Sequence, residues 1–236
     1  MVCVATSDMN NASSEAVDSL SEVSVGETGV CKEYMIHKRG IFVRSRIISF
    51  RKEIFRKIIH ICSVFVPIGL HFFYNLTIFA LALMLVVYIV AEVLRKHGRN
   101  VPVFSAITEA ASRKRDENRF VLGPVTLCCG VLASALFFNE TAAAVGILGL
   151  AAGDGLASLF GKMFGNVKIP FTGGKSVVGS LSCFGVIFLL TSIVTNNTVA
   201  GLVCGFVGMF VEMIPLKDFD NLLIPIVLAS VVQFFF

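Results

Sequence analysis

Apolar runs of nearly bilayer-spanning length recur seven times along this chain, at about Ile58 to Tyr74, Leu76 to Leu94, Phe120 to Phe138, Thr141 to Phe160, Val177 to Val194, Val199 to Pro215 and Leu222 to Phe236, the last being short. Hydrocarbon offers no partner to backbone N–H and C=O groups, so runs of this length close their own hydrogen bonds as helices. The predicted fold class is all-α, a polytopic membrane helix bundle of about seven transmembrane helices. A composition with 56% hydrophobic and 15% charged residues excludes an ordinary soluble domain of this size. The basic residues agree with the count of runs. Nine precede the first run, and the connections at 95–119, 161–175 and 215–220 hold seven, three and one, which exhausts the 20 Lys and Arg of the chain. The connections at Tyr74–Asn75, Asn139–Glu140 and Thr195–Thr198 hold none. Such asymmetry orients a multi-pass protein with its N-terminus cytoplasmic. The expected location is the endoplasmic reticulum membrane in a eukaryote or the inner membrane in a bacterium.

Three regions follow. Residues 1–31 carry five acids and no Lys or Arg, without a continuous apolar run or a basic start, and are expected to be a disordered acidic tail rather than a targeting segment. Residues 32–57 interleave nine basic residues with Ile41, Phe42, Val43, Ile47, Ile48 and Phe50, the pattern of a basic amphipathic segment on an anionic membrane surface, or of a stop that fixes orientation. Residues 58–236 form the transmembrane domain, which holds the candidate catalytic residues. Within it, Val103, Phe104, Ile107, Ala110 and Ala111 have helical spacing and suit either an interfacial helix or a solvated linker. Cys62, Cys128, Cys129, Cys183 and Cys204 lack metal-ligand spacing and read as small reduced core residues. The Asn-x-Thr triplets at Asn75, Asn139 and Asn196 read as turn formers.

The chemistry concentrates in GDGLASLFGKMFGNVKIPFTGGKSVVG, Gly153 to Gly179. Asp154 is a carboxylate within an apolar run, where a charge costs on the order of 3 kcal/mol and marks function. On a helix, Ser158 and Lys162 fall on its face, over roughly 12 Å, the general size of a triphosphate with its Mg²⁺. Lys168 follows. Gly173 and Gly174 let backbone N–H groups approach phosphate oxygens, a helix start beyond them adds its positive end, and Lys175 and Ser176 complete the set. Gly149, Gly153, Gly161 and Gly165 serve equally well to bring helix backbones together.

Flanking constellations add groups. In EIFRKIIHI, Glu53, Arg56, Lys57 and His60 share a face; the cations suit phosphate, and His60 suits proton movement or a bond to a neighbouring helix. Glu92 is either a metal ligand or lysine partner, or a carboxylate at the water boundary. Glu212, with Asp218, Asp220 and Asn221 between Pro215 and Pro225, can return oxygen ligands to the depth of Asp154. Phe137, Phe138, Phe184 and Phe188 offer a greasy lining without identifying what it holds.

RKIIH, GDGLASLFGKMFG, GGKSVVGS, and Glu212 with DFDNLLIP together resemble the CTP-dependent lipid kinases, the family of dolichol kinase, phytol kinase and fungal-type diacylglycerol kinase, over about residues 53–230. The resemblance implies transfer of the terminal phosphate of CTP to a lipid hydroxyl with Mg²⁺ or another divalent cation. It implies Asp154, Lys175 and His60 as catalytic, with Lys162, Lys168, Gly173, Gly174, Ser176, Arg56 and Lys57 around the nucleotide. Asp154, Glu212, Asp220, Asn221 and Glu92 are the implied metal ligands. The implied partners are a membrane lipid alcohol and a nucleoside triphosphate, with no nucleic acid. Phosphatidate cytidylyltransferases have a similar Gly-Asp and Lys-rich stretch, but end in an Asp-Arg pair where this chain has Asp220 and Asn221. A carrier without chemistry is the third reading; it would place its charges near the bilayer midplane and show an inverted repeat, neither of which the sequence has.

Overall fold

A computed structural model describes residues 56–97, 120–170, 172–216 and 218–235. The acidic tail at 1–31, all but the last two residues of the basic segment at 32–57, the stretch at 103–119 and Glu53 lie outside the described residues. Six helices make up the described fold: α1 (Arg56–Lys96), α2 (Gly123–Phe137), α3 (Glu140–Met163), α4 (Val177–Thr195), α5 (Thr198–Met213) and α6 (Asp220–Phe235). The all-α expectation therefore holds. Helices α1, α3 and α4 are long and apolar enough to cross a membrane, while α2, α5 and α6 are shorter apolar helices.

Helix α1 covers two of the apolar runs and turns back on itself. Its backbone leaves helical geometry at Phe73, with φ −140° and ψ 56°. A Cβ added at Gly69 would come within 2.9 Å of Thr77 Oγ1, although eight residues of straight helix cover about 12 Å. Its two legs therefore run in opposite directions. Lys57 at the start reaches Asp154. The Tyr74 hydroxyl at the bend donates to the Ala135 carbonyl near the end of α2, and the Tyr88 hydroxyl donates to the Val121 carbonyl just before α2.

The bundle thus has two distinct ends. At one, the bend of α1 meets the α2–α3 junction and the end of α6, with His71 Nδ1 2.5 Å from Glu140 Oε1 and the Asn139 N–H donating to Gln233 Oε1. Two of the Asn-x-Thr asparagines do make turns: Asn139 caps α3 by accepting from the Ala142 N–H, and Asn196 ends α4 at φ 51°. Asn75 instead sits in helical backbone just past the bend. At the other end, the start of α1, the α3–α4 connection and the α5–α6 connection converge on one cavity.

Ile147 and Leu150 of α3, Ile187 of α4, and Ile224, Leu228 and Val232 of α6 are almost wholly buried and form the centre. Large apolar side chains such as Phe72, Phe79, Leu189, Ile193, Phe206 and Phe210 face outward. That inversion suits a hydrocarbon surround, where close packing of small residues takes over from the hydrophobic effect in joining helices. Gly149 and Gly153 serve such packing, against Leu228 and Ile187.

Candidate active site

Asp154 closes a π-helical turn, Gly149–Asp154, inside α3. An inserted residue of this kind re-aims the helix beyond it and is common where a side chain has work to do. From Gly155 onward the helix is regular, so the fourfold spacing of Asp154, Ser158 and Lys162 survives, and all three line the cavity. Lys57 Nζ lies 2.6 Å from Asp154 Oδ2 and also donates to the Asp154 carbonyl at 3.1 Å. His60 Nδ1 is 3.4 Å from the same carboxylate oxygen. Lys57 is 4% exposed and His60 2%, so the first leg of α1 sets a buried amine and a buried imidazole against a buried carboxylate.

The α3–α4 connection folds back on itself. Lys168 and Ser176 form an antiparallel bridge, the Ile169 N–H donates to the Lys175 carbonyl at 2.8 Å and the Val177 N–H to the Val167 carbonyl at 3.1 Å. Its tip demands glycine, since Gly173 and Gly174 have φ +71° and +95°, which L side chains rarely adopt. Ser176 caps α4, accepting from the Gly179 N–H, and its hydroxyl donates to the Gly161 carbonyl at 3.3 Å. This contact requires Gly161 and Gly165, because a Cβ on either would run into Ser176 Oγ. Lys175 Nζ lies 2.8 Å from Glu212 Oε1 and donates to the Glu212 carbonyl as well, tying this connection to the end of α5.

The third wall is the α5–α6 connection. Pro225 in α6 has no N–H for the Asn221 carbonyl four residues earlier, and that oxygen turns toward α2, where only Gly130 leaves room for it. Asn221 Nδ2 reaches the Gly123 carbonyl at 3.4 Å, which fixes the first turn of α6 against α2. Asp220, half-buried at the head of α6 and ahead of its apolar stretch, has its carboxyl pushed up to about 6, mainly by burial and further by the Asp154 charge.

These walls enclose about 460 Å³, lined by the cations Arg56, Lys57, Lys162, Lys168 and Lys175 and the carboxylates Asp154, Glu212 and Asp220. Gly173, Gly174, Ser176 and Asn221 line it too. Two expected site residues do not. His60 stands beside the Asp154 carboxylate but is not part of the lining. Glu92 is buried elsewhere: Arg95 grips both its oxygens at 2.8 and 2.6 Å, and the Val121 N–H donates to it at 3.0 Å, so it fastens the second leg of α1 to the start of α2. Phe137, Phe138, Phe184 and Phe188 lie outside the lining; Phe184 instead stacks with Phe188 and packs on Phe206. Thr172 and Ser180 line the cavity without having been singled out by the sequence. For Ser180 a signal existed, since it follows Ser176 by one helical turn. Among the described residues, no three His, Cys, Asp or Glu side chains cluster closely enough to hold a metal by themselves.

Fold and cavity together define an apolar helical bundle with an excess of cations over carboxylates in a concave site at one end. Sequence comparison adds a direction. Over 159 residues the chain is 27% identical to a probable phytol kinase 1, chloroplastic, of Glycine max, covering 59% of this chain and 52% of that protein. It is 32% identical over 91 residues to phytol kinase 1, chloroplastic, of Arabidopsis thaliana (37% and 30%), and 29% identical over 75 residues to farnesol kinase, chloroplastic, of the same plant (31% and 24%). The homology to these plant kinases is distant and partial, and the chain spans about half the length, or less, of the curated relatives it matches. No family model matches the chain. No solved structure matches it either.

Proposed function

We propose that this chain is an integral membrane kinase that transfers the terminal phosphate of a nucleoside triphosphate, CTP in the first instance, to the hydroxyl of a prenol or related lipid alcohol. The observation that carries the reading is the convergence of five cations and three carboxylates, from α1, α3, the α3–α4 connection, α5 and α6, on one cavity at the end of an apolar bundle. The similarity to phytol and farnesol kinases supplies the acceptor class. Both legs of α1 and the five remaining helices cross the bilayer, with the cavity at the cytoplasmic face, where the positive-inside rule sets the basic connections.

In this mechanism the nucleotide's phosphates lie between Lys162 and Lys168 on one side and the Gly173–Gly174 tip and the start of α4 on the other. Phosphoryl transfer asks a protein mostly for position and charge neutralisation. The bond from the terminal phosphorus to the nucleoside diphosphate breaks, a bond to the alcohol oxygen forms, and the hydroxyl proton leaves to a carboxylate. Lys57 and His60 hold Asp154 in place. Asp154, Asp220 and Asn221 offer only oxygen donors, which fit Mg²⁺, an ion that needs one or two carboxylates when phosphates and waters complete its shell. When bound, it would neutralise phosphate charge. Glu92, committed to Arg95 and Val121, is left out of this set.

The test is to incubate membranes holding the protein with γ-labelled CTP and phytol, farnesol, a dolichol, diacylglycerol or phosphatidate. Labelled prenyl monophosphate is expected. Label released as pyrophosphate, with phosphatidate converted to a CDP-lipid, would mark a cytidylyltransferase, and no transfer to any acceptor would end the enzyme assignment.

A further inference from the structure

Two buried polar atoms in the cavity wall are left over by the interactions described above. Glu212 is 7% exposed and spends Oε1 on Lys175, while its Oε2 has no hydrogen-bond partner among the described residues. Ser180, 4% exposed, has an Oγ in the same condition. Both residues line the cavity. The antiparallel register of α4 and α5, which sets Gly205 against Phe184 and Gly201 against Ser192, carries Glu212 opposite the first turn of α4, where Ser180 lies. An orphaned polar atom in a buried wall costs free energy, so such a pair calls for a ligand that satisfies both.

The chemistry of the pair restricts that ligand. An ionised carboxylate oxygen only accepts, and a serine hydroxyl donates or accepts. A phosphate oxygen would satisfy Ser180 but be repelled by Glu212. An alcohol satisfies both at once, donating its own proton to Glu212 Oε2 and accepting from Ser180 Oγ. We infer that Glu212 and Ser180 form the seat of the acceptor hydroxyl, apart from the lysines and the glycine tip that take the phosphates. The inference rests on the kinase reading only for the word acceptor; the seat itself is a binding claim.

The full chain in lipid nanodiscs is heated with a C20 prenyl alcohol, with its methyl ether, or with CTP, and the thermal midpoint is read without turnover. A ligand bound only by the folded state raises the midpoint in proportion to its affinity. The alcohol is expected to stabilise the wild type and the ether much less, because the ether cannot donate to Glu212. Ser180→Ala removes a group with nothing to bind in the free protein, so its own midpoint should be unchanged or slightly raised, while its affinity for the alcohol falls roughly tenfold. Glu212→Gln, which keeps an oxygen for Lys175, should narrow the difference between alcohol and ether. Both variants should keep the CTP shift. Equal stabilisation by alcohol and ether in the wild type, or variants that lose the CTP shift and keep that of the alcohol, overturns the inference. If the wild type transfers no phosphate but the alcohol preference persists and disappears in the variants, the seat stands and the kinase reading falls.

Discussion

Asp154 and Lys57 form a pair that the fold cannot lose by halves and that also lines the site. A buried pair contributes little net stability, but removing one member strands a charge, at a cost on the order of 3 kcal/mol. Lys57→Met should therefore lower the thermal midpoint by several degrees. Lys57→Met with Asp154→Leu should recover most of that loss, because no charge is then left unpaired. Phosphate transfer should stay absent in the double variant, as measured with labelled nucleotide, because the recovered fold lacks the carboxylate. Asp154→Asn, close in shape and still able to accept from Lys57, should insert in the membrane normally while losing at least about a hundredfold in transfer rate. Near-normal turnover in Asp154→Asn would remove this residue from the mechanism.

At the scale of elements, the α3–α4 connection depends on where side chains are missing. Gly165→Ala would drive a methyl group into Ser176 Oγ and the Gly161 carbonyl, displacing the cap of α4 at a cost of about 1–3 kcal/mol. Gly174→Ala has open space around it but must hold φ +95°, a strain of about 1–2 kcal/mol. Gly185→Ala is the control: it lies within α4 with nothing near its added methyl, and should be neutral or slightly stabilising. Thermal denaturation of the three variants separates crowding, backbone strain and helix propensity. Destabilisation by Gly185→Ala equal to that by Gly165→Ala would mean that the close approach at Ser176 is not what holds the connection.

At the scale of the molecule, the cavity belongs to one end of the bundle because each helix enters or leaves there in turn. The bend at Phe73 is essential to that: without it, the start of α1 and the start of α2 would lie at opposite ends. Single cysteines placed at Lys168 and at Asn139, in a background lacking the native ones, should react with a membrane-impermeant maleimide from opposite faces of a sealed vesicle. Labelling of both from the same face would refute the proposed crossing pattern.

The apolar helices were legible in sequence because runs long and oily enough to close their own backbone hydrogen bonds act on composition over long windows. So were Asp154, Ser158 and Lys162, whose spacing is local to one regular helical segment and comes through to the cavity wall intact. Glu92 and Glu212 mark the limit of that reading, each a carboxylate near the end of an apolar run. Which of them meets the cavity was decided by the neighbours that packing supplied: Arg95 and Val121 close around Glu92, whereas Lys175 occupies one oxygen of Glu212 and leaves the other bare. Hydrogen-bond saturation is a property of the assembled structure, set by residues remote in the chain, and only the tertiary arrangement determines it.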